Sequence, residues 1–514
     1  MDIAMNIRSQ PVTSLEMQAI ELNAEYLGVP AIQLMENAGA AVASQVALRF
    51  RPEDSRIMIL AGTGGKGGDG MVTARHLADR GFKVRLLLIG HPEGIRREAV
   101  RRNWETLRLM ADSVSVSVAE DSSFIPAVEG EVIVDALLGT GFRGQLQPPV
   151  SQAVEAINAA GGFKVAVDLP TGVNPDNGDL LGRAVKADLT VTFHRPKAGI
   201  SEGSELTGEV VVAPIGVPPE AETLVGPGDV VLATKPRSRE THKGDYGRLL
   251  VVGGSEKYHG APTLTAMAAM RTGIDLAYVA VPEEIAHDVA AVSPALIVVK
   301  LKGSNLSEEN VDELRPWISK CSAVAFGSGL GLLPETKKAV AQVVEAVESQ
   351  GVPLLLDADG LKAFAEFKRP LKCPLVLTPH AGEYEILTGE RLPLALGEKV
   401  THVESAARAL KAILLVKGAV DIVSDGARTK LNRFVHNPGM TVGGTGDVLS
   451  GVVGALLSQG FDSFRAAAAG TFINGAAGDF ACHEQGYHLL PDDLIDWIPQ
   501  VMNSPMDHVS VRHF

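Results

Sequence analysis

The sequence predicts an α/β protein built as two successive domains of different fold. Three observations predict it. Short Val-, Ile- and Leu-rich runs alternate with longer helical patterns along the whole chain, as in parallel strands joined by helices. At 514 residues the chain is too long for a single hydrophobic core. Between the halves lie Pro214-Ile215-Gly216-Val217-Pro218-Pro219, then Val225-Gly226-Pro227-Gly228 and a polar stretch to Thr241, a proline and glycine density that marks a boundary. The reading is therefore a domain over 1–217, a linker over 218–235 and a domain over 236–514. No internal repeat relates the halves.

In the first half, β-rich runs predict strands at 56–60, 83–89, 132–136, 164–168, 189–193 and 209–213. Helical patterns fall at 14–27, 31–49 and 70–80. In the second half, strands are expected at 248–252, 276–281, 323–326, 353–356, 375–377 and 412–416. The small-residue runs at 466–469 and 476–477 suit tightly packed helices.

Composition narrows the function classes. Hydrophobic content of 46% with 21% charged residues is that of an ordinary globular protein. A net charge of −14 argues against nucleic-acid or anionic-membrane binding, without excluding a locally positive pocket. Cys321, Cys373 and Cys482 are widely spaced and form neither a metal pattern nor a disulfide framework, which suits a reducing cytoplasm. Residues 1–21 lack a basic flank followed by an apolar core, and no apolar run approaches the ~20 residues that span a bilayer.

Chemistry concentrates at strand ends. The first strand runs into Ala61-Gly62-Thr63-Gly64-Gly65-Lys66-Gly67-Gly68-Asp69-Gly70, a glycine loop before a helix, where backbone amides hold phosphate. It is not a Walker A loop, since Gly67 rather than Ser or Thr follows Lys66. Val134-Asp135 precedes a second glycine turn, Gly139-Thr140-Gly141-Phe142, and Val167-Asp168 precedes Pro170-Thr171-Gly172. A lone Asp is as readily a loop cap as a functional group, but three at equivalent strand ends open into one crevice.

In the second half, Val442-Gly443-Gly444-Thr445-Gly446-Asp447 runs into an apolar helix. Glycine amides and a helix N-terminus suit an anion, whereas Asp447 repels one. Its carboxylate therefore reads as a base or metal anchor for phosphoryl transfer, with a helix cap as the bland alternative. Upstream lie Val252-Gly253-Gly254-Ser255, Tyr258-His259-Gly260-Ala261, Gly327-Ser328-Gly329, Leu356-Asp357-Ala358-Asp359, Thr378-Pro379-His380 and Val416-Lys417-Gly418. Singly, such glycine turns are usually structural.

With those residues in view, 1–215 resembles the epimerase domain of the NAD(P)H-hydrate repair enzymes, the YjeF N-terminal family, a Rossmann-like three-layer fold. About 236–500 resembles the ADP-dependent NAD(P)H-hydrate dehydratases, which have a ribokinase-like fold. The resemblance implies an isomerase and a lyase in one chain. The first would interconvert R and S NAD(P)HX, a reduced nicotinamide cofactor with water added across a ring double bond. The second would dehydrate the S form to NAD(P)H at the expense of ADP, giving AMP and phosphate, with Mg²⁺ on the nucleotide. By the resemblance, Gly65, Lys66, Gly67, Gly68 and Asp69, with Gly139, Thr140, Gly141, Phe142, Arg143, Gly144 and Gln145, line the epimerase pocket, and Asp168 contacts substrate and is the candidate acid/base. Asp135 and Thr171 would hold K⁺. Ala261, Gly329, His380 and Asp447 would meet NAD(P)HX in the dehydratase, and Lys417, Gly418, Ala419, Val420, Asp421 and Gly446 the adenine nucleotide. The family tends to form homo-oligomers.

One departure stands out. The family has two asparagines where this chain has Gly65 and Lys66, and the second helps hold K⁺. A lysine ammonium is itself a compact monovalent cation with three donors. Lys66 is therefore read as replacing K⁺ and pairing with Asp135. The alternatives are a lysine pointing outward with metal still on Asp135, or an impaired site. Competing functions are a ribokinase-like hydroxymethylpyrimidine-type kinase, which would accumulate a phosphorylated alcohol, and a non-catalytic nucleotide sensor.

Overall fold

The structure, a computed structural model, describes residues 10–435 and 437–512. Residues 1–9, the start of the stretch read for a leader, lie outside that description. The chain divides into two compact units at Pro219/Glu220.

Among the described residues of the first unit, seven strands form a fully parallel sheet: β1 (Arg56–Ala61), β2 (Lys83–Ile89), β3 (Val114–Ala119), β4 (Val132–Ala136), β5 (Phe163–Val167), β6 (Leu189–Phe193) and β7 (Glu209–Ala213). Their order is β3-β2-β1-β4-β5-β6-β7, so the direction of winding reverses between β1 and β4. A crevice opens beyond the carboxyl ends of such strands at that reversal. Met58, Leu60, Ile133 and Leu87 pack with Ala153, Val154 and Ile157 of the helix Val150–Ala159, one of the sheet's helical covers.

The helix after β1 is longer than its sequence pattern suggests. It spans Gly65–Asp79 rather than starting at 70, so four of the loop's glycines are helical. Glycine is a poor helix former, but at Gly67, Gly68 and Gly70 a side chain would have no room. A Cβ on Gly67 would lie 1.8 Å from the Gly62 carbonyl oxygen, and one on Gly70 would lie 2.4 Å from Ala136 Cβ. The bare first turns let this helix press against β1 and β4.

Among the described residues of the second unit, nine strands follow: β8 (Arg248–Val252), β9 (Leu276–Pro282), β10 (Ile297–Leu301), β11 (Ala323–Phe326), β12 (Leu354–Leu356), β13 (Leu375–Leu377), β14 (Ile413–Val416), β15 (Asp421–Ser424) and β16 (Thr429–Asn432). The order is β10-β9-β8-β11-β12-β13-β14-β15-β16, parallel as far as β14 and antiparallel thereafter. Winding reverses between β8 and β11. One face carries Gly260–Arg271, Thr445–Ser458 and the long Ser463–Gln485, whose small residues allow close approach: a Cβ on Gly470 would lie 2.5 Å from Val453 Cγ2. The opposite core joins Phe326, Leu356 and Leu377 to Val340, Val344, Leu361 and Leu387.

The stretch read as a linker is folded. Glu220–Thr223 and Pro227–Leu232 are short helices, with Ala221, Val225 and Val230 buried and Asp229 paired with Lys430 at 2.6 Å. Its prolines and glycines mark helix starts rather than freedom, since Pro227 stands at the first turn.

Candidate functional sites

In the first unit, the ends of β1, β4, β5 and β6 supply the site. Lys66, in the first turn of the helix Gly65–Asp79, turns inward. Its Nζ donates to Asp135 Oδ2 at 3.0 Å, the Leu169 carbonyl at 2.6 Å and Thr171 Oγ1 at 3.0 Å. Asp135 Oδ1 also accepts from Leu137 N and Thr171 Oγ1, and Oδ2 from Thr171 N, so every lone pair has a donor. Burial pulls the Lys66 ammonium below the ordinary lysine range while Asp135 opposes that pull. Three acceptors for three N–H donors are what an ammonium requires.

Asp168 follows β5 with φ 64, a left-handed conformation that is sparsely populated for a residue with a Cβ and gathers at functional sites. Its Oδ1 accepts from Lys197 Nζ at 2.8 Å, Thr192 Oγ1 at 3.1 Å and Phe193 N at 3.3 Å. Lys197 is buried and also donates to the Phe193 carbonyl at 3.1 Å. Burial, with Asp168 and Glu21 adding to it, raises the Asp69 carboxyl well above its usual range.

The other pocket residues divide by accessibility. Gly67 and Gly68 are buried and reach a ligand only through backbone, whereas Gly65 and Asp69 are partly open. A Cβ on Gly139 would touch Lys66 Cβ at 3.2 Å, so the two glycine segments adjoin. Beyond it, Thr140, Gly141, Phe142, Gly144 and Gln145 form a largely open loop. Arg143 ties that loop to Ser14 Oγ at 2.7 Å and to Asp176 Oδ2 at 3.4 Å.

In the second unit, Asp447 is the third residue of the helix Thr445–Ser458; the cap is Gly444 at φ 104. Burial pushes the Asp447 carboxyl up to about 6, with Asp357 adding to the rise and Ser328 and Lys417 opposing it. Lys417 Nζ lies 2.8 Å from Asp357 Oδ1, and Ser450 Oγ donates to Asp357 Oδ2 at 2.7 Å. Burial works against the Asp357 charge, but Lys417 and hydrogen bonds from Lys417, Ser450 and Thr378 hold its carboxyl below the usual range. Around this cluster, a Cβ on Gly446 would sit 3.4 Å from Lys417 Nζ, and one on Gly329 3.4 Å from Ala261 Cβ. Residues from six separate segments, around 261, 328, 357, 378, 417 and 447, thus meet at one sheet edge.

Two assigned residues behave differently. His380 Nδ1 accepts from Gly382 N at 3.0 Å and Glu383 N at 3.3 Å, capping the helix Ala381–Thr388, while the rest of the ring stays exposed. Asp421 opens β15 and is engaged by Gly418 N at 2.9 Å and by Thr471 Oγ1, so it braces the Lys417–Asp421 turn, with Ala419 and Val420 between them. Among the described residues, no three His, Cys, Asp or Glu side chains gather as a metal cluster. The sequence patterns hold Asp357, Ser328 and Ser450 without giving them a role, and nothing in the sequence marks Lys197 or Glu21. Asp357 had the same signal as Asp135, an acid at the end of an apolar strand; the others carry no motif.

No helix among the described residues is long and apolar enough to cross a membrane. A family model described as NAD(P)H-hydrate dehydratase matches residues 249–500, and one described as YjeF-related protein N-terminus matches 31–199. A bifunctional NAD(P)H-hydrate repair enzyme from Hyperthermus butylicus is 44% identical over 507 residues, covering 96% of this chain and 93% of the relative. One from Pyrobaculum aerophilum is 44% identical over 500 residues, covering 96% and 98%. The crystal structure of an ADP/ATP-dependent NAD(P)H-hydrate dehydratase from Bacillus subtilis, co-crystallised with ATP/Mg²⁺, is 25% identical, with a TM-score of 0.47, covering 55% of this chain and 98% of that one. With near-full-length identity of this order, and both units matched in sequence order, the chain belongs to the family of bifunctional NAD(P)H-hydrate repair enzymes.

Proposed function

We propose that the first unit interconverts R and S NAD(P)HX and the second dehydrates the S epimer to NAD(P)H, spending ADP and releasing AMP and phosphate. The observation that carries the second activity is the Asp447 carboxyl, raised to about 6 and set in the first turn of a helix beside the Asp357–Lys417 pair. Hydroxide is a poor leaving group, and phosphorylating the ring hydroxyl eases its elimination. Asp447 takes the hydroxyl proton as the oxygen attacks the terminal phosphate, at a pKa close to working pH. Helix amides and the Lys417 ammonium steady the phosphate charge. Mg²⁺ arrives on the nucleotide phosphates. Three unpaired cysteines accord with a reducing cytoplasm.

In the first unit, Lys66 takes the place of K⁺. Supporting this, its ammonium donates to a carboxylate, a carbonyl and a hydroxyl within 3.0 Å, leaving those oxygens no room for a metal ion. No step in this chain's epimerisation then passes through potassium.

The test gives purified protein a mixture of R and S NADHX with Mg²⁺ and ADP, with ATP in parallel, and follows NADH absorbance. Conversion of both epimers faster than spontaneous epimerisation is the expected result. Arrest at the S fraction would remove the epimerase activity. A phosphorylated alcohol in place of NADH would establish a kinase.

A further inference from the structure

His508, in the short 3₁₀ helix Pro505–Ser510, meets Asp479 of the helix Ser463–Gln485, with both side chains buried. Its Nε2 lies 2.8 Å from Asp479 Oδ2, and Asn437 Nδ2 donates to Oδ1 of the same carboxylate at 2.6 Å. A carboxylate can only accept, so His508 Nε2 carries the proton. Phe472 and Phe480 pack edge-on against the His508 ring, with centroids 5.7 and 6.0 Å away. Asn437 Oδ1 is buried and finds no hydrogen-bond partner, so Asp479 is the one anchor of that side chain among the described residues.

The anchor stands at the start of the segment that leads to Asp447. Asn432, Val435, Asn437 and Met440 follow one face of the helix Ser463–Gln485, at Thr471, Gly475, Asp479 and Gly478. A Cβ on Gly475 would lie 2.5 Å from the Val435 carbonyl oxygen, and one on Gly478 would lie 2.0 Å from the Met440 sulfur. Met440 N donates to the Asn437 carbonyl at 3.1 Å, and Thr445 Oγ1 donates to the Met440 carbonyl at 2.9 Å, two residues before Asp447. Thr471 Oγ1 of the same helix donates to Asp421. One helix therefore braces both the Lys417–Asp421 turn and the loop before Asp447.

Past Met440 that loop has little of its own to hold it. Gly443 has open space where a side chain would stand, and Gly444 turns at φ 104. Successive glycines lose much freedom when ordered. Groups that meet a transferring phosphate nevertheless have to stand within about 0.5 Å of the productive geometry. An apolar trio of similar volume would pack as well as Asn437, Asp479 and His508, whereas the polar one adds direction. We infer that Asp479 and His508 are positioning residues of the dehydratase: His508 holds the Asp479 carboxylate, which through Asn437 sets the loop that carries Asp447. This rests on the dehydratase reading of the second unit.

The experiment uses the full chain with S-NADHX, Mg²⁺ and saturating ADP, following NADH absorbance well below the melting temperature of each protein. Asn437→Ala and His508→Leu should each lower kcat about 10-fold or more, with the KM for S-NADHX little changed. His508→Gln, whose amide can still donate to Asp479, should recover most of the rate. The Asn437→Ala/His508→Leu double variant should be no slower than the slower single, because both break one chain of bonds. Wild-type kcat in folded Asn437→Ala or His508→Leu would overturn the positioning role, whatever either does to melting. A double variant slowed by the product of the two singles would overturn it too. Should His508→Leu fail to fold, the kcat of Asn437→Ala decides alone. A wild-type protein that yields no NADH would instead overturn the dehydratase reading, and the positioning role with it.

Discussion

The Lys66 ammonium lies 3.0 Å from Asp135, with both side chains sealed from solvent. Such a pair is strongly destabilised when only one member is removed, by about 3–5 kcal/mol, because the survivor stays buried and unpaired. Wild-type protein should therefore epimerise R-NADHX equally well in potassium and in choline buffers. Lys66→Asn should be slow in choline and recover with added K⁺, whose binding would also raise its melting temperature. Strong potassium activation of the wild type would contradict the replacement.

Asp447 links activity to stability. Its folded pKa of about 6 exceeds the ordinary 3.8, so the folded state binds the extra proton between those values. Stability is then fully present below about pH 4 and declines as pH rises through about 6. Asp447→Asn, which cannot ionise, should raise the melting temperature at pH 7–8 and leave it unchanged near pH 3.5, a gain on the order of 1–3 kcal/mol at about 1.4 kcal/mol per pKa unit. The same variant should lose about 10²–10⁴-fold in dehydration while still binding nucleotide. Calorimetry and NADH release at matched pH check both halves, and wild-type dehydration should rise with pH through about 6.

Asp357 and Lys417 should behave as a coupled pair. Lys417→Met leaves a buried Asp357 charge with only Ser450 and Thr378 to hold it, so a loss of about 3–5 kcal/mol is expected. The Asp357→Asn/Lys417→Met double variant should fall well short of the sum of the singles. Denaturant melts of all four proteins complete the cycle, and the nucleotide KM should rise in every variant lacking Lys417.

Gly67→Ala tests the packing of the first site. The added methyl would lie 1.8 Å from the Gly62 carbonyl oxygen, a backbone atom that cannot move aside alone. Overpacking of this kind costs about 1–3 kcal/mol or more. The first unit should melt earlier and lose epimerase activity, while NADH release from S-NADHX by the second continues.

Much of this arrangement was legible in the sequence. Acids at the ends of apolar runs, Asp135, Asp168 and Asp357, marked the strand edges because a buried strand needs polar groups only where it meets the crevice. Strands lacking a continuous apolar run escaped notice. Val114–Ala119 alternates with serine at a sheet edge, and Asp421–Ser424 and Thr429–Asn432 are four-residue pieces of a hairpin. Lys197 and Glu21 also escaped, since a long charged side chain reveals its target only once separate segments are folded together. Glycine density misled in the other direction. It suggested loops at Gly65–Gly70 and a linker at 218–235, where close packing and helix starts were its cause.

The bare opening turns of the Gly65–Asp79 helix carry a consequence for descent. Each glycine is held by a different wall, Gly67 by the Gly62 carbonyl, Gly68 by Met35 and Gly70 by Ala136. Selection on folding alone would preserve these positions in a lineage that had abandoned the reaction. Intact glycines therefore certify architecture, whereas drift in the carboxylates that meet the cleft, such as Asp69, would date the loss of chemistry.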